Sequence, residues 1–263
     1  MNSVLGNSCR IIVDPEPQSG ITNMAIDAAL LAAADAYPAG PVVRIYRWAE
    51  PTVTVGYFQK HPPEDSAARL KCPHVKRLTG GGAILHHHEI TYSCVVPRTH
   101  AMRESPLGLY DVMHSAIEDA LRLCGVDVGS RAKYVSGDMV GTREGEPFLC
   151  FLRSDPRDLV AVNCRRGATP HPKLVGSAQR RRRGTILQHG SILLRASPLL
   201  PDVFGVGDLF ADFDERQLNG ILPGHLAKSL ADSANVSDYT DHERRLAFKH
   251  SQQLAMVGSG KPG

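Results

Sequence analysis

The spacing of apolar and polar positions changes several times along this 263-residue chain. After Ile21-Thr22-Asn23, apolar residues recur at helical spacing as far as Pro38. This pattern predicts a capped helix that ends before the proline. Val42–Trp48 alternates with a two-residue period and is rich in β-branched and aromatic residues, which predicts a strand. Leu109–Cys124 returns to one apolar face at helical spacing, and Gly125 is expected to end that helix.

Several shorter apolar segments predict further strands. They are Thr52–Gly56, Ala83–Leu85, Thr91–Val96, Leu159–Val162, Leu174–Ala178 and Ile186–Leu194. The last quarter of the chain is predicted to be helical. Strands and helices interleave without a regular βαβ rhythm, so the expected fold class is α/β (α+β), a mixed sheet flanked by helices. We expect one domain over residues 1–257, with core motifs over 21–194, a helical part over 198–257 and a disordered tail over 258–263.

Composition narrows the functional classes. Hydrophobic residues make up 42% and charged residues 22% of the chain, as in an ordinary globular protein, and a net charge of +3 is too small for a dedicated nucleic-acid binder. Apolar runs stay shorter than the roughly 18 residues that a membrane span needs, so no membrane partner is expected. The six cysteines include no CxxC pair, which argues against structural zinc and against a disulfide scaffold. We therefore predict a cytoplasmic protein with free thiols.

The most informative stretch is Arg77-Leu-Thr-Gly-Gly-Gly-Ala-Ile-Leu-His86. Three consecutive glycines let a backbone approach a ligand closely and offer N–H groups to an anion or a carbonyl. Neither the phosphate-loop pattern nor GxGxxG is present. Taken alone, the stretch is equally consistent with a simple glycine turn between two strands.

Four motifs occur in a recognisable order. They are Asn23-Met-Ala-Ile-Asp27, Tyr46-Arg-Trp48 leading to Val55-Gly-Tyr57, the glycine segment followed by Thr91-Tyr-Ser93, and Lys173-Leu-Val-Gly-Ser-Ala-Gln179 with Gln188-His-Gly-Ser191. Together they resemble the lipoate/biotin protein ligase superfamily, whose members include lipoate-protein ligases and octanoyltransferases. The resemblance covers about residues 21–194 and implies the catalytic-domain fold of that superfamily.

The resemblance also implies where the site lies. In that superfamily the glycine segment lines the channel for the acyl chain, which places Arg77, Gly80, Gly81, Gly82 and His86 along an acyl pocket. The lysine of KxxGSAQ stands at the reacting centre, which implies a catalytic role for Lys173 with Gly176, Ser177 and Ala178 beside the substrate. No metal is implied.

Ligases and octanoyltransferases differ in how the acyl group is activated. A lipoate ligase consumes ATP, whereas an octanoyltransferase starts from a thioester of acyl carrier protein and needs a nucleophile instead. Cys150 precedes Lys173 as the thioester cysteine does in the octanoyltransferase type typified by Gram-positive bacteria, and Lys173 would favour its thiolate. Cys164 is a weaker rival, and the remaining cysteines are expected to be packing residues.

The favoured hypothesis is transfer of an octanoyl group from acyl carrier protein to a lysine of a lipoyl-dependent carrier domain, without ATP or another cofactor. The expected acceptors are lipoyl-domain proteins, the glycine-cleavage carrier protein and dehydrogenase E2 subunits. Three alternatives stay open: an amidotransferase between carrier proteins, an ATP-dependent lipoate ligase, and a binding protein without turnover.

Two charged or metal-binding patterns remain. On a strand His86 and His88 would share a face and could bind a metal, but no third ligand is evident, and His87 and His88 are expected at the surface. The run Arg180–Arg183 is either a solvated loop or a docking patch for acidic carrier proteins.

Overall fold

Two β-sheets form the framework of the computed structural model, which describes residues 8–59, 70–135, 149–153, 155–164 and 170–259. The larger sheet has eight strands in the order β11-β1-β2-β6-β10-β9-β8-β7, and the smaller has the order β4-β3-β5. In chain order the strands are β1 Cys9–Val13, β2 Val42–Tyr46, β3 Thr52–Val55, β4 His74–Lys76, β5 Ile84–His86, β6 Glu89–Val96, β7 Val128–Ser130, β8 Leu159–Ala161, β9 Lys173–Arg182, β10 Thr185–Leu193 and β11 Ala234–Val236.

Both sheets are mixed. In the larger one β1 runs parallel to β2 and β11, and every pair from β2 to β7 is antiparallel. In the smaller one β3 is parallel to β4 and antiparallel to β5. The predicted mixed sheet with flanking helices is therefore confirmed.

Helices cover both faces of the larger sheet. They are α1 Gly20–Ala36, α2 Pro106–Leu123, α3 Arg131–Tyr134, α4 Val206–Leu209, α5 Glu215–Lys228 and α6 Asp241–Ser259. The main core lies between the sheet and the pair α2 and α5, and a second core lies between the sheet and α1. Because α6 packs on the outer side of α1, α1 is buried on most of its circumference and needs no polar face.

Caps fix the two predicted helices. The Ser19 hydroxyl accepts a hydrogen bond from the Thr22 amide at the start of α1. Ser105 caps α2 in the same way, with Pro106 in the first turn, so α2 begins three residues before the predicted start. Gly125 follows α2 with φ of 75°, the left-handed conformation that glycine adopts most easily.

Three sequence predictions need correction. The predicted strand Leu174–Ala178 continues to Arg182, so the arginine run lies in a strand and its turn instead of a solvated loop. The last quarter is not purely helical, because β11 pairs with β1 at the edge of the sheet. The predicted disordered tail begins too early, since α6 reaches Ser259; residues 260–263 lie outside the described residues.

Strands β1, β4 and β7 were not predicted. Each has only three to five residues, and none alternates clearly enough to stand out from its surroundings. Within the described ranges, no helix is both long and apolar enough to cross a bilayer.

Candidate active site

The glycine segment is held in place by one buried guanidinium. Arg77 donates to the Gly80 and Gly82 carbonyl oxygens at 2.6 Å each, to the Thr54 carbonyl at 3.0 Å and hydroxyl at 3.1 Å, and to the Thr79 hydroxyl at 3.1 Å. All five N–H directions are therefore used within the protein. Arg77 thus stabilises the conformation of the glycine loop through its carbonyl oxygens. Direct contact between Arg77 and an acyl group stays a prediction.

Gly81 is the exposed turn of this loop. Its φ is 87°, and a Cβ at this position would lie 3.1 Å from the Arg77 guanidinium and 3.9 Å from the Ala178 Cβ. A side chain here would thus be strained by its backbone and crowded by Arg77. Gly81 and Ala178, both predicted site residues, therefore lie next to each other.

A buried hydrogen-bonded network ties this loop to α1. The Thr79 hydroxyl is 2.6 Å from His189 Nε2, and His189 Nδ1 is 3.0 Å from an Asp27 carboxylate oxygen. The other Asp27 oxygen accepts from Arg44 and Ser93, both at 2.9 Å. Burial alone would raise the pKa of Asp27, but hydrogen bonds and charge from His189 and Arg44 hold it below its usual value. The Asn23–Asp27 motif is therefore explained as an anchor for the loop.

His86 supports the same loop from the smaller sheet. It lies 2.8 Å from the Thr54 hydroxyl through Nε2 and 2.8 Å from Glu89 through Nδ1, and its ring stacks on Trp48. Burial lowers the pKa of His86, which favours the neutral ring. Since Thr54 also accepts from Arg77, His86 acts on the glycine segment through that threonine.

His86 and His88 do not share a strand face, because β5 ends at His86. The His87 ring stacks on that of His88 in the turn that follows, and His87 Nδ1 lies 2.9 Å from the Ser197 hydroxyl. Among the residues that the structure describes, no three His, Cys, Asp or Glu side chains are grouped so that they could hold a metal ion.

Cys150 and Lys173 lie side by side although 23 residues separate them. The Cys150 amide donates to the Ala83 carbonyl at 2.6 Å, which fixes the cysteine next to the glycine segment at the start of a 3₁₀ turn. Lys173, the first residue of β9, places its Nζ 4.0 Å from Cys150 Sγ and 3.4 Å from the Cys150 carbonyl oxygen. The structure thus brings the two predicted catalytic residues together.

Asp158 completes this pair and was missed in the sequence. Its carboxylate lies 2.9 Å from Lys173 Nζ, and the two side chains are 5% and 7% exposed. Burial favours a lower pKa for Lys173, but electrostatic interaction with Cys150 and Asp158 outweighs burial and raises it, so the ammonium is the stable form. Asp158 directly precedes the apolar run of β8, and nothing in that local pattern distinguishes it from other acidic residues at strand ends.

Gly176 leaves room for the lysine. A Cβ at Gly176 would lie 2.6 Å from Lys173 Cε and 2.9 Å from Nζ, so the lysine chain runs directly across this glycine. Gly176 and Ala178 lie on the same face of β9. Ser177 points to the opposite face, where its hydroxyl lies 2.8 Å from Tyr92 and 2.7 Å from His114 Nε2. The Ser177 side chain therefore belongs to the packing between β9 and α2.

An apolar cavity borders the cysteine segment. It is lined by residues that include Leu85, Leu149, Phe151, Leu200 and Val203. Its volume of about 20 Å³ has room for about one water molecule. Side chains would have to move before an acyl chain could enter it.

The other cysteines differ from Cys150. Burial raises the pKa of Cys9 to about 12 and also raises that of Cys94, so both thiols stay protonated at neutral pH. Cys164, the rival candidate, packs against the edge of the main core. Among the described cysteines, only Cys150 lies against a lysine ammonium.

A half-buried thiol beside a buried ammonium and a glycine loop is chemically suited to an acyltransferase. The comparisons with known proteins agree with that class. The chain belongs to the lipoyl protein ligase A/B catalytic domain family, whose sequence profile matches residues 19–216.

Curated relatives narrow the class. The chain is 32% identical to "Octanoyltransferase LipM" of Macrococcus caseolyticus over 86% of this chain and 77% of that protein. It is 35% identical to the protein of the same name from Oceanobacillus iheyensis over 74% of this chain and 65% of that protein. The predictions of this superfamily and of an acyltransferase are confirmed by these relatives.

Solved structures support the fold. A bipartite lipoate protein ligase from Thermoplasma acidophilum, described with its E2 lipoyl domain, superposes with a TM-score of 0.69 at 19% identity, covering 94% of this chain and 93% of that one. A lipoate-protein ligase A bound with ATP gives a TM-score of 0.68 at 20% identity. At these identities the likeness concerns the fold alone.

Proposed function

We propose that this protein transfers an octanoyl group from octanoyl-acyl carrier protein, through a thioester on Cys150, to a lysine of a lipoyl-dependent carrier domain. The observation that carries the proposal is the 4.0 Å approach of the Lys173 ammonium to Cys150 Sγ, with Asp158 holding that ammonium. The name of the curated relatives supports the octanoyl group, and the lipoyl protein ligase family and the ligase described with an E2 lipoyl domain support the acceptor class.

The first half-reaction forms the acyl-enzyme. The Cys150 thiolate, stabilised by the Lys173 ammonium, attacks the carbonyl carbon of the donor thioester. A new carbon–sulfur bond forms, the bond to the carrier sulfur breaks, and the carrier thiolate leaves and takes a proton from solvent. Because one thioester replaces another, the step is close to energetic balance and needs no nucleotide.

The second half-reaction changes the charge around Lys173. Acylated Cys150 no longer carries a negative charge, so the strongest influence that raises the pKa of Lys173 is removed. Lys173 can then release its proton to solvent more easily and accept one from the incoming amine of the carrier lysine. The amine attacks the thioester, an amide bond forms, and Cys150 leaves as the thiolate.

The geometry gives each motif a part in this scheme. The acyl carbonyl would bind beside the glycine segment, near the point where Gly81 lies next to Ala178. Backbone N–H groups near Gly81 or Ser177–Ala178 are the expected donors to the oxyanion, as in other acyl-transfer sites.

Intact-protein mass spectrometry tests the proposal. The protein is mixed with octanoyl-acyl carrier protein without ATP, beside a Cys150→Ala variant and a Cys164→Ala control. We expect a hydroxylamine-sensitive octanoyl adduct on the wild type and on Cys164→Ala, and none on Cys150→Ala. An adduct on all three proteins would move the nucleophile elsewhere. If the wild type remains unmodified and instead modifies a carrier domain with free octanoate and ATP, the protein is a ligase.

A further inference from the structure

The arginine run occupies the end of a rigid hairpin. Arg180, Arg181 and Arg182 are the last residues of β9, and Arg183 and Gly184 form the turn to β10 with φ values of 47° and 88°. Two successive positive φ values are typical of a tight type I′ hairpin turn. The arginines therefore project from a fixed scaffold.

The tip of this hairpin carries an excess of positive charge. Arg182 and Arg183 share the Asp35 carboxylate at 3.8 and 3.6 Å, yet their side chains remain 47% and 75% exposed. Arg181 is exposed on the opposite side of the strand, and exposed Arg98 lies directly beside Gly184. Among the ion pairs of the described residues, Asp35 is the single carboxylate that pairs with these four arginines.

Arg180 connects the tip of the hairpin to the smaller sheet through Tyr57, which follows β3. Its guanidinium lies 4.4 Å from the centre of the Tyr57 ring, and Lys76 Nζ lies 5.7 Å from the same ring. Tyr57 contacts Phe58 edge to face, and Phe58 is 80% exposed beside Gly80. We call the hairpin tip together with these neighbours the basic surface; it comprises Arg98, Arg180–Arg183, Lys76, Tyr57 and Phe58.

The length of β9 separates the hairpin arginines of the basic surface from the chemistry. Lys173 lies beside Cys150, and Arg180 is seven residues farther along the strand, roughly 23 Å at about 3.3 Å per residue. A partner bound over the hairpin must reach Cys150 with an arm of comparable length. A donor that carries its thioester on a long flexible arm meets this requirement, whereas a lysine side chain on an acceptor domain is far shorter.

We infer that the basic surface is the docking site for the acyl donor, an acidic carrier domain that delivers its thioester on a flexible arm. The inference rests on the proposed function and adds the partner's docking face to it. Arginines and an exposed aromatic ring can bind an acidic helix of such a partner. Opposite charge directs the encounter, and the ring supplies apolar contact.

Charge reversal on the hairpin tests this inference. The double variant Arg181→Glu/Arg183→Glu is compared with Arg245→Glu/Lys249→Glu, which makes the same change of charge at exposed positions of α6. The second-order rate constant for Cys150 acylation by the octanoyl carrier protein is measured at low and high salt. A small octanoyl thioester without a carrier serves as a second donor, and transfer from preformed acyl-enzyme to an acceptor domain is timed separately.

We expect the hairpin variant to lose about tenfold or more in acylation by the carrier at low salt, and to lose the salt dependence. The α6 variant should react like the wild type, and all proteins should react equally with the small thioester. Carrier acylation at the wild-type rate in the hairpin variant would overturn the inference. A defect confined to transfer onto the acceptor would also overturn it and assign the surface to the acceptor. If the wild type reacts with neither donor, the proposed function itself fails.

Discussion

At the scale of single residues, the site depends on a lysine side chain whose position is fixed by its neighbours. Lys173 crosses Gly176 and ends between Asp158 and Cys150, so three residues from three segments fix one ammonium. Removing the space at Gly176 should disturb this arrangement without removing any charged group.

Gly176→Ala is therefore expected to slow Cys150 acylation by at least tenfold. The added methyl group would lie 2.6 Å from Lys173 Cε and push the ammonium away from the sulfur. The backbone of β9 at this position is ordinary strand. The free energy of unfolding in urea should therefore fall by only about 1–3 kcal/mol, as at other overpacked sites. Acylation rate and urea midpoint are both measured.

Gly220→Ala in α5 is the matched control. A Cβ there meets nothing within 4 Å, and helical alanine is favoured over glycine by about 1 kcal/mol. The control should therefore be as active as the wild type and slightly more stable. Equal activity of Gly176→Ala and Gly220→Ala would contradict the proposed path of the lysine.

At the scale of secondary-structure elements, buried hydrogen bonds connect parts that packing alone would leave independent. The glycine loop is joined to α1 through Thr79, His189 and Asp27, and to the smaller sheet through Thr54 and His86. A loop with three glycines has high conformational freedom, so such anchors are what keep it in one shape.

Replacement of Thr79 by valine should destabilise the fold by about 1–3 kcal/mol, because Arg77 and His189 would each lose a buried partner. The free energy of unfolding is measured by urea denaturation. Thr185→Val is a matched comparison, since both threonines are fully buried and the Thr185 hydroxyl has no hydrogen-bond partner among the described residues. It should be neutral or stabilising. A loss at Thr185 as large as at Thr79 would show that the network contributes nothing specific.

At the scale of the whole molecule, buried histidines make stability depend on pH. Burial lowers the pKa of His114 to about 4, while its ring is held by the Arg157 carbonyl at 2.6 Å and the Ser177 hydroxyl at 2.7 Å. In the unfolded chain the ring has its ordinary pKa of about 6.5. The unfolded state therefore binds a proton in the range between these values, and the folded state does not.

Stability should thus fall as the pH drops from about 6.5 to 4, with His114 contributing on the order of 3 kcal/mol to the loss. Urea denaturation at pH 7, 5.5 and 4 measures this for the wild type and for His114→Gln, which can still donate and accept hydrogen bonds. The variant should show the shallower decline. Parallel curves for the two proteins would assign the acid sensitivity to other groups, such as His86.

Much of the chain could be predicted because its local patterns are strong. Helices α1 and α2 have clear periodicity and stop signals, and strands β2, β3 and β6 alternate or are rich in β-branched residues. The arginine run shows the limit of that method. Its charge suggested a loop, but the ladder between β9 and β10 continues through Arg182 because strand pairing depends on the partner strand.

The sequence by itself determined the superfamily and the glycine segment, and it singled out Cys150 and Lys173 as candidates, since these are recorded as residue types in a fixed order along the chain. Tertiary structure decided the rest. Asp158 reaches Lys173 because β8 lies beside β9, and the hairpin arginines join Tyr57 at the rim because the smaller sheet packs there. Such long-range neighbours are set by strand order and packing, which no local pattern of residues specifies.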